Sequence, residues 1–182
     1  MKKVFTIILL TCACFPSMAQ RYLPGMKGVQ VGGGMTEHNG YFIHAGYAKY
    51  TKSQNRVVFD VEYLQRNYNY ENDNIPVMQF TGEAGYYFRF MNDNAQSFFL
   101  AFGMHIGTGY ETINLNKKYL STGAIITSQD HWIYGGAIAL EAEYYLDDKY
   151  VLLLLVKERL YGGSNISMFH TQIGLGIKFI LD

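Results

Sequence analysis

The sequence predicts an all-β fold, an eight-stranded antiparallel up-and-down β-barrel of the transmembrane type, following an N-terminal secretion signal. Three observations predict it. Apolar and polar residues alternate with period two over long stretches, of which 78–90 and 98–110 are the clearest. Ordinary strands run about 5–6 residues, whereas strands that cross a bilayer need roughly 9–11. No apolar run reaches the roughly 18–20 residues of a membrane helix. The 16 Tyr, 12 Phe and 1 Trp gather towards strand ends, as rings with an apolar body and a polar tip gather at two lipid–water interfaces.

Residues 1–19 read as a signal peptide. Lys2 and Lys3 form the positive start, the stretch 4–15 the apolar core, and Ser17-Met18-Ala19 puts small residues at the two positions read before cleavage. The apolar run is too short for a membrane anchor. Leu9-Leu10-Thr11-Cys12 is a poor lipoprotein signal, because Thr stands where a small residue precedes the cysteine. Cleavage after Ala19 removes Cys12 and Cys14, and with them any disulfide or thiolate metal site. It also removes two lysines, leaving 13 basic against 15 acidic residues and a formal charge of −2. That balance offers no basic stripe for nucleic acid.

Residues 20–28 read as a periplasmic arm with a turn at Pro24-Gly25. The barrel is expected over 29–182. Strand one is glycine-rich, with Val29, Val31, Gly33 and Met35 on one face. Strand two, 41–50, follows a tight connection at 37–40. Strand three, 56–66, sets Val57, Phe59, Val61 and Tyr63 against Val58, Asp60, Glu62, Leu64 and Arg66. Residues 67–76 read as a polar loop. Strands four and five are the opening pair, and 114–130 is the longest connection, part apolar and with a possible hairpin around Ser121-Thr122-Gly123. Strand six runs from Trp132 to Leu146. Strand seven, 150–160, is apolar on both faces through Val156, so its facing is open and a short buried helix competes. In strand eight, Phe169, Thr171, Ile173, Leu175, Ile177 and Phe179 oppose His170, Gln172, Gly174, Gly176 and Lys178. Short turns alternate with longer loops, the pattern of outer-membrane barrels. Tyr47, Tyr50, Phe88, Phe90, Phe98, Tyr144, Tyr145, Tyr150 and Phe179 form one aromatic band. Tyr41, Phe42, Tyr63, Tyr68, Tyr110, Trp132, Tyr134, Tyr161 and Phe169 form the other.

In lipid every backbone N–H and C=O needs a partner within the protein, so the sheet must close. Eight strands enclose an interior that side chains fill. The expected luminal polar cluster is His44, Glu62, Glu83, Arg89, His105, Glu141, Glu143, His170, Gln172 and Lys178. A soluble sandwich or lipocalin-like barrel would turn the same faces the other way. Strand length, aromatic bands and the secretion signal favour the membrane form.

No nucleophile elbow, phosphate loop or zinc spacing is present, and the sequence predicts no catalytic, cofactor or metal site. Gly32-Gly33-Gly34 lacks a strand–helix context. His38, Glu111, Asp130 and His131 are the candidates for a rim acid and base, and loop solvation accounts for them more simply. His44, His105 and His170 lie on three strands, and hydrogen bonding in the lumen accounts for them better than a metal does.

The opening Gln20-Arg21-Tyr22-Leu23-Pro24-Gly25-Met26-Lys27-Gly28-Val29-Gln30 resembles that of the TraO family of conjugative-transposon transfer proteins. Length, the preceding signal and a strand-rich body ending Gly174-Leu175-Gly176-Ile177-Lys178-Phe179 extend the likeness. The resemblance implies an outer-membrane component of a conjugation apparatus, with other transfer proteins and outer-membrane lipids as partners and no catalytic residues. The alternative is a general outer-membrane barrel, an adhesin or envelope stabiliser without a transfer role. The segment Arg21, Tyr22, Leu23, Pro24, Gly25, Met26 and Lys27 is the candidate docking arm for a periplasmic partner. Capping the barrel mouth is its other reading.

Overall fold

A computed structural model describes residues 25–51, 53–70, 73–117, 125–126, 130–164 and 167–181. The expected signal peptide, and Arg21, Tyr22, Leu23 and Pro24 of the arm, lie outside the described residues. Eight strands form one closed antiparallel barrel in sequence order, with the first strand pairing the last. They are β1 (Lys27–Thr36), β2 (Gly40–Tyr50), β3 (Arg56–Tyr70), β4 (Asp73–Asn92), β5 (Phe98–Ile113), β6 (His131–Tyr145), β7 (Tyr150–Gly162) and β8 (Phe169–Leu181). A 3-10 turn, Asn114–Asn116, follows β5.

The period-two pattern sorts side chains by face. The alternate apolar residues point outward: Phe80 is 59% exposed and Ile173 57%. Their neighbours point into the lumen, where Glu83 is 4% exposed and Glu141 2%. This is the arrangement of a barrel solvated by hydrocarbon, and the inverse of a soluble one. Lumen space is set by pairing small against large. Gly103 lies opposite Tyr87 and Gly85 opposite His105. A Cβ on Gly103 would meet the Tyr87 ring at 2.6 Å, so only glycine leaves that ring its place.

Strand seven is a strand throughout, and its facing is now plain. Val151, Leu153, Leu155, Lys157, Arg159 and Tyr161 point inward, while Leu152, Leu154, Val156 and Leu160 point outward. Its unbroken apolar run is two apolar faces superposed. Val151 and Leu153 join Tyr50, Phe99, Tyr145 and Ile180 in an apolar cluster near the short turns.

Three expectations need correction. Residues 67–76 are not a loop. Asn67 to Tyr70 pair with Asp73 to Pro76 in a hairpin that continues β3 and β4 past their last sheet pairs with β2 (at Gln65) and β5 (at Val77), while Asn67 N–H donates to His38 O (3.3 Å) on the β1–β2 turn. Four further pairs lengthen it by about 13 Å along the strands. Pro76 has no N–H to donate, and pairs only with Asn67 on a hairpin edge where that donor is dispensable. The arm is shorter than expected, since Lys27 and Gly28 belong to β1. Gly25 N–H donates to Tyr50 O (3.1 Å) and Tyr50 N–H to Met26 O (2.8 Å), so the described end of the arm prolongs the β1–β2 ladder. Met26 packs on the apolar cluster at that end of the barrel. Finally, several rings assigned to the bands face inward instead. Phe42, Tyr50, Tyr145 and Tyr161 are buried, and Tyr68 shares the inward face of Arg66, whose guanidinium lies 5.5 Å from its ring.

The β4–β5 turn is held by one carboxylate. Asp93 accepts bonds from Ser97 N–H (2.8 Å), Ser97 Oγ (2.8 Å) and Phe98 N–H (2.9 Å). Burial pushes its pKa up, and these donated bonds outweigh that effect, leaving the carboxyl below its ordinary range.

Candidate functional site

Among the described residues, the fold concentrates charge in the lumen. Its buried set holds Arg56, Arg66, Lys157, Arg159 and Lys178 against Asp60, Glu62, Glu83, Glu111, Glu141 and Glu143. Five cations facing six anions leave almost no net field to attract ions. The pairing runs in three groups, ordered along β3 by Arg56, Glu62 and Arg66.

Nearest the short turns, the Arg56 guanidinium bridges Glu141 and Glu143 from β6 and lies 4.1 Å from the Tyr87 ring centre. Lys178 of β8 also pairs with Glu143 and donates to Tyr50 Oη (3.0 Å). Tyr50 donates to Glu143 Oε1 (3.1 Å).

The central group is the densest. Arg159 reaches Glu62 (2.7 Å), Glu83 (3.2 Å) and Thr81 Oγ1 (2.9 Å). Lys157 reaches Glu83 (2.6 Å) and Glu62 (3.2 Å). Gln172 donates to Glu62 (2.7 Å) and Tyr161 to Glu83 (3.0 Å). Four strands, β3, β4, β7 and β8, are thereby tied across the lumen rather than through the sheet. Asp60 beside this group accepts from Gln30 Nε2 (3.0 Å) and faces His44 Nδ1 at 3.7 Å.

The far-end group is built on Glu111. Gln79 donates to it (2.7 Å), Ser164 Oγ lies 3.1 Å from both its oxygens, His131 Nε2 is 3.3 Å away and Arg66 3.9 Å. Arg66 Nη1 lies 2.8 Å from His170 Nδ1.

Nine of the ten expected luminal residues lie in this interior. Glu62, Glu83, His105, Glu141, Glu143, His170, Gln172 and Lys178 are buried, and the His44 side chain is 8% exposed. Arg89, the tenth, lies at the mouth of the lumen over the ring of buried Phe99. It sits beside the β4–β5 turn next to a register shift between Arg89 and Met91, bonded to Gln54 Oε1 (2.8 Å) and 3.6 Å from the Phe99 ring centre. The three histidines do not converge. His44 faces Asp60, His105 packs edge-on against Tyr87 and lies 3.5 Å from Glu83, and His170 belongs to the far-end group. Among the described residues no three ligating side chains gather as a metal site would require. Of the rim candidates, only Glu111 and His131 meet. Asp130 accepts from the Ile113 N–H (3.0 Å) and His38 stacks on Tyr68 (4.4 Å between ring centres). Sequence reasoning missed Lys157 and Arg159 because they lie in strand seven. The signal was there in Lys157, Arg159 and Tyr161, which share one face of that strand.

Solved structures of the same architecture share little sequence with this chain. Ail, the attachment invasion locus protein of Yersinia pestis, matches at a TM-score of 0.58 and 12% identity, covering 87% of this chain and 100% of that one. The N-terminal β-barrel domain of OprF from Pseudomonas aeruginosa matches at 0.50 and 12%, covering 87% and 98%. At such identity the likeness establishes the fold, that of outer-membrane β-barrels, and nothing finer. No curated protein matches the sequence. The model of the conjugative transposon protein TraO matches residues 23–181, nearly the whole sequence and every strand of the barrel, and the chain therefore belongs to the TraO family of conjugative transposon proteins.

Proposed function

We propose that this protein sits in the outer membrane as a structural component of a conjugative transposon's transfer apparatus, and that it anchors other transfer proteins there without forming a channel or catalysing a reaction. The single observation that carries this reading is the filled lumen. The central ion-paired group spans the interior, so a DNA strand or a protein substrate has no room to pass. An anchor needs a rigid wall and two accessible ends, and cross-lumen pairs supply the rigidity. The near-neutral interior gives no grip on DNA, which fits a part that holds the machinery rather than the cargo.

Deletion of the gene in a donor strain, with complementation, tests the proposal. Mating frequency should fall at least tenfold and recover with the wild-type gene, and fractionation should place the protein with the outer membrane. Unchanged transfer, or an inner-membrane or soluble location, would refute it.

One observation favours the second reading, a surface attachment role. The β3–β4 hairpin continues its own pairing four residues past the last sheet pairs with β2 and β5, as an adhesin's loop can. Removing residues 68–75 discriminates: lost cell binding with normal transfer supports attachment, and lost transfer supports the apparatus.

A further inference from the structure

Inside its band the outward face of the described strands carries a single charged residue. Along the described strands it carries three charged side chains, Lys27, Lys49 and Glu158. Lys27 and Lys49 pair with each other at the end bearing the short turns, beside Leu181. There a lysine reaches the headgroups. Glu158 is elsewhere. On β7 it lies between the outward residues Val156 and Leu160, and its cross-strand neighbours are Ile138 on β6 and Thr171 on β8. Leu160, Phe169 and Tyr134 continue the exposed apolar face beyond it towards the far end. Two residues along a strand tilted 35–45° place Glu158 about 5 Å inside that ring of side chains.

A carboxylate facing hydrocarbon is unfavourable and is retained where it has a partner. Within the chain, Glu158 receives one bond, from Thr171 Oγ1 to Oε2 (2.5 Å). Oε1 has no donor among the described residues. The bond from Thr171 fixes the carboxylate against the wall instead of letting it reach up to water. We propose that Glu158 is the docking point for a membrane-embedded segment of another protein, one that presents a lysine or arginine at this depth. The inference rests on the reading that the chain works beside other transfer proteins, and it names the face on which one of them sits.

Charge and depth together select this occupant. A second copy, inserted the same way up, brings the outward cations of its described strands, Lys27 and Lys49, to the opposite edge of the band. Eight residues of tilted strand separate Tyr150, at that edge, from Glu158, which is roughly 20 Å of depth. Lipid tails offer no donor. A cationic side chain on a neighbouring segment supplies the missing charge where the surroundings make it strongest.

In-cell photocrosslinking tests this. Benzoylphenylalanine is placed at Ile138, beside Glu158, or at Phe59 on the opposite wall, in the full chain expressed in donor cells. The expected result is an adduct from position 138 with one further polypeptide, whose linked peptide is apolar and contains Lys or Arg. It should form only in cells that carry the transfer genes. It should fall at least tenfold in Glu158→Leu and persist in Glu158→Asp, with both variants keeping the gel shift of a folded barrel. An adduct to a second copy, an adduct to lipid alone, equal yield from position 59, no adduct, or indifference to Glu158→Leu would overturn the inference. A deletion strain that transfers normally would instead overturn the functional reading. Impaired transfer on deletion with no adduct at 138 would remove only this proposal.

Discussion

Arg159→Met is the sharpest probe of the barrel's interior. In the wild type, Arg159 and Lys157 face Glu62 and Glu83, two cations against two anions, all buried. The substitution keeps most of the side-chain volume and leaves one carboxylate without its counter-charge. Breaking a buried pair from one side costs about 3–5 kcal/mol, a change of roughly a hundredfold to a few thousandfold in the unfolding equilibrium. Adding Glu62→Gln restores charge balance, since Lys157 then remains against Glu83 alone. The double variant should therefore recover roughly half or more of the loss, although the two sites are in contact and their effects are not additive. Urea unfolding of the refolded barrel in lipid vesicles, read by Trp132 fluorescence and by the gel shift of the folded form, measures both. A single variant within about 1 kcal/mol of wild type would show that water already screens the group. A double variant no better than the single would show that packing, not charge, is at stake.

Two further expectations concern other parts of the molecule. Leu154 lies outward near the middle of β7, so Leu154→Arg should destabilise membrane insertion by about 2–4 kcal/mol, while Leu181→Arg at the barrel's end should change it by roughly 0–1 kcal/mol; equal effects in vesicle insertion assays would contradict the assigned faces. The Asp93 carboxyl is held below its ordinary range by bonds from Ser97 and Phe98, so its stabilising contribution is present above the unfolded-state pKa and is lost as pH falls through the lower folded-state value. Asp93→Asn should thus be less stable than wild type at neutral pH, with the gap in unfolding midpoint closing below about pH 4; a pH-independent gap would exclude this origin.

The strand-rich body was legible because hydrocarbon outside and charge inside give the strongest period-two contrast a chain can show. Phe80, Phe102, Leu140 and Ile173 against Glu83, His105, Glu141 and Gln172 place both faces from the sequence alone. Where the contrast collapses, legibility collapses too. Val151, Leu153 and Leu155 face an apolar part of the lumen, so neighbours on opposite faces look alike and Lys157 and Arg159 were lost with them. The rings failed for a different reason. Tyr161 and Tyr50 reach charged partners in the lumen through their hydroxyls, and a tyrosine at a strand end reads the same whether its oxygen meets a carboxylate or a headgroup. The hairpin beyond Gln65 was hidden by Pro76 and the asparagines, which signal a turn by composition even though Asn67 and Pro76 pair. Which luminal groups meet is set by stagger around the closed sheet, and no local pattern encodes that.

The seam between Lys27–Thr36 and Phe169–Leu181 joins the earliest and latest strands to be synthesised. Until the last strand arrives, both lateral margins of the growing sheet carry bare amides and carbonyls, a state that hydrocarbon rejects and that invites other chains to zip on. The sheet can therefore lose its edges only when Phe169–Leu181 meets Lys27–Thr36, so closure waits on the last strand.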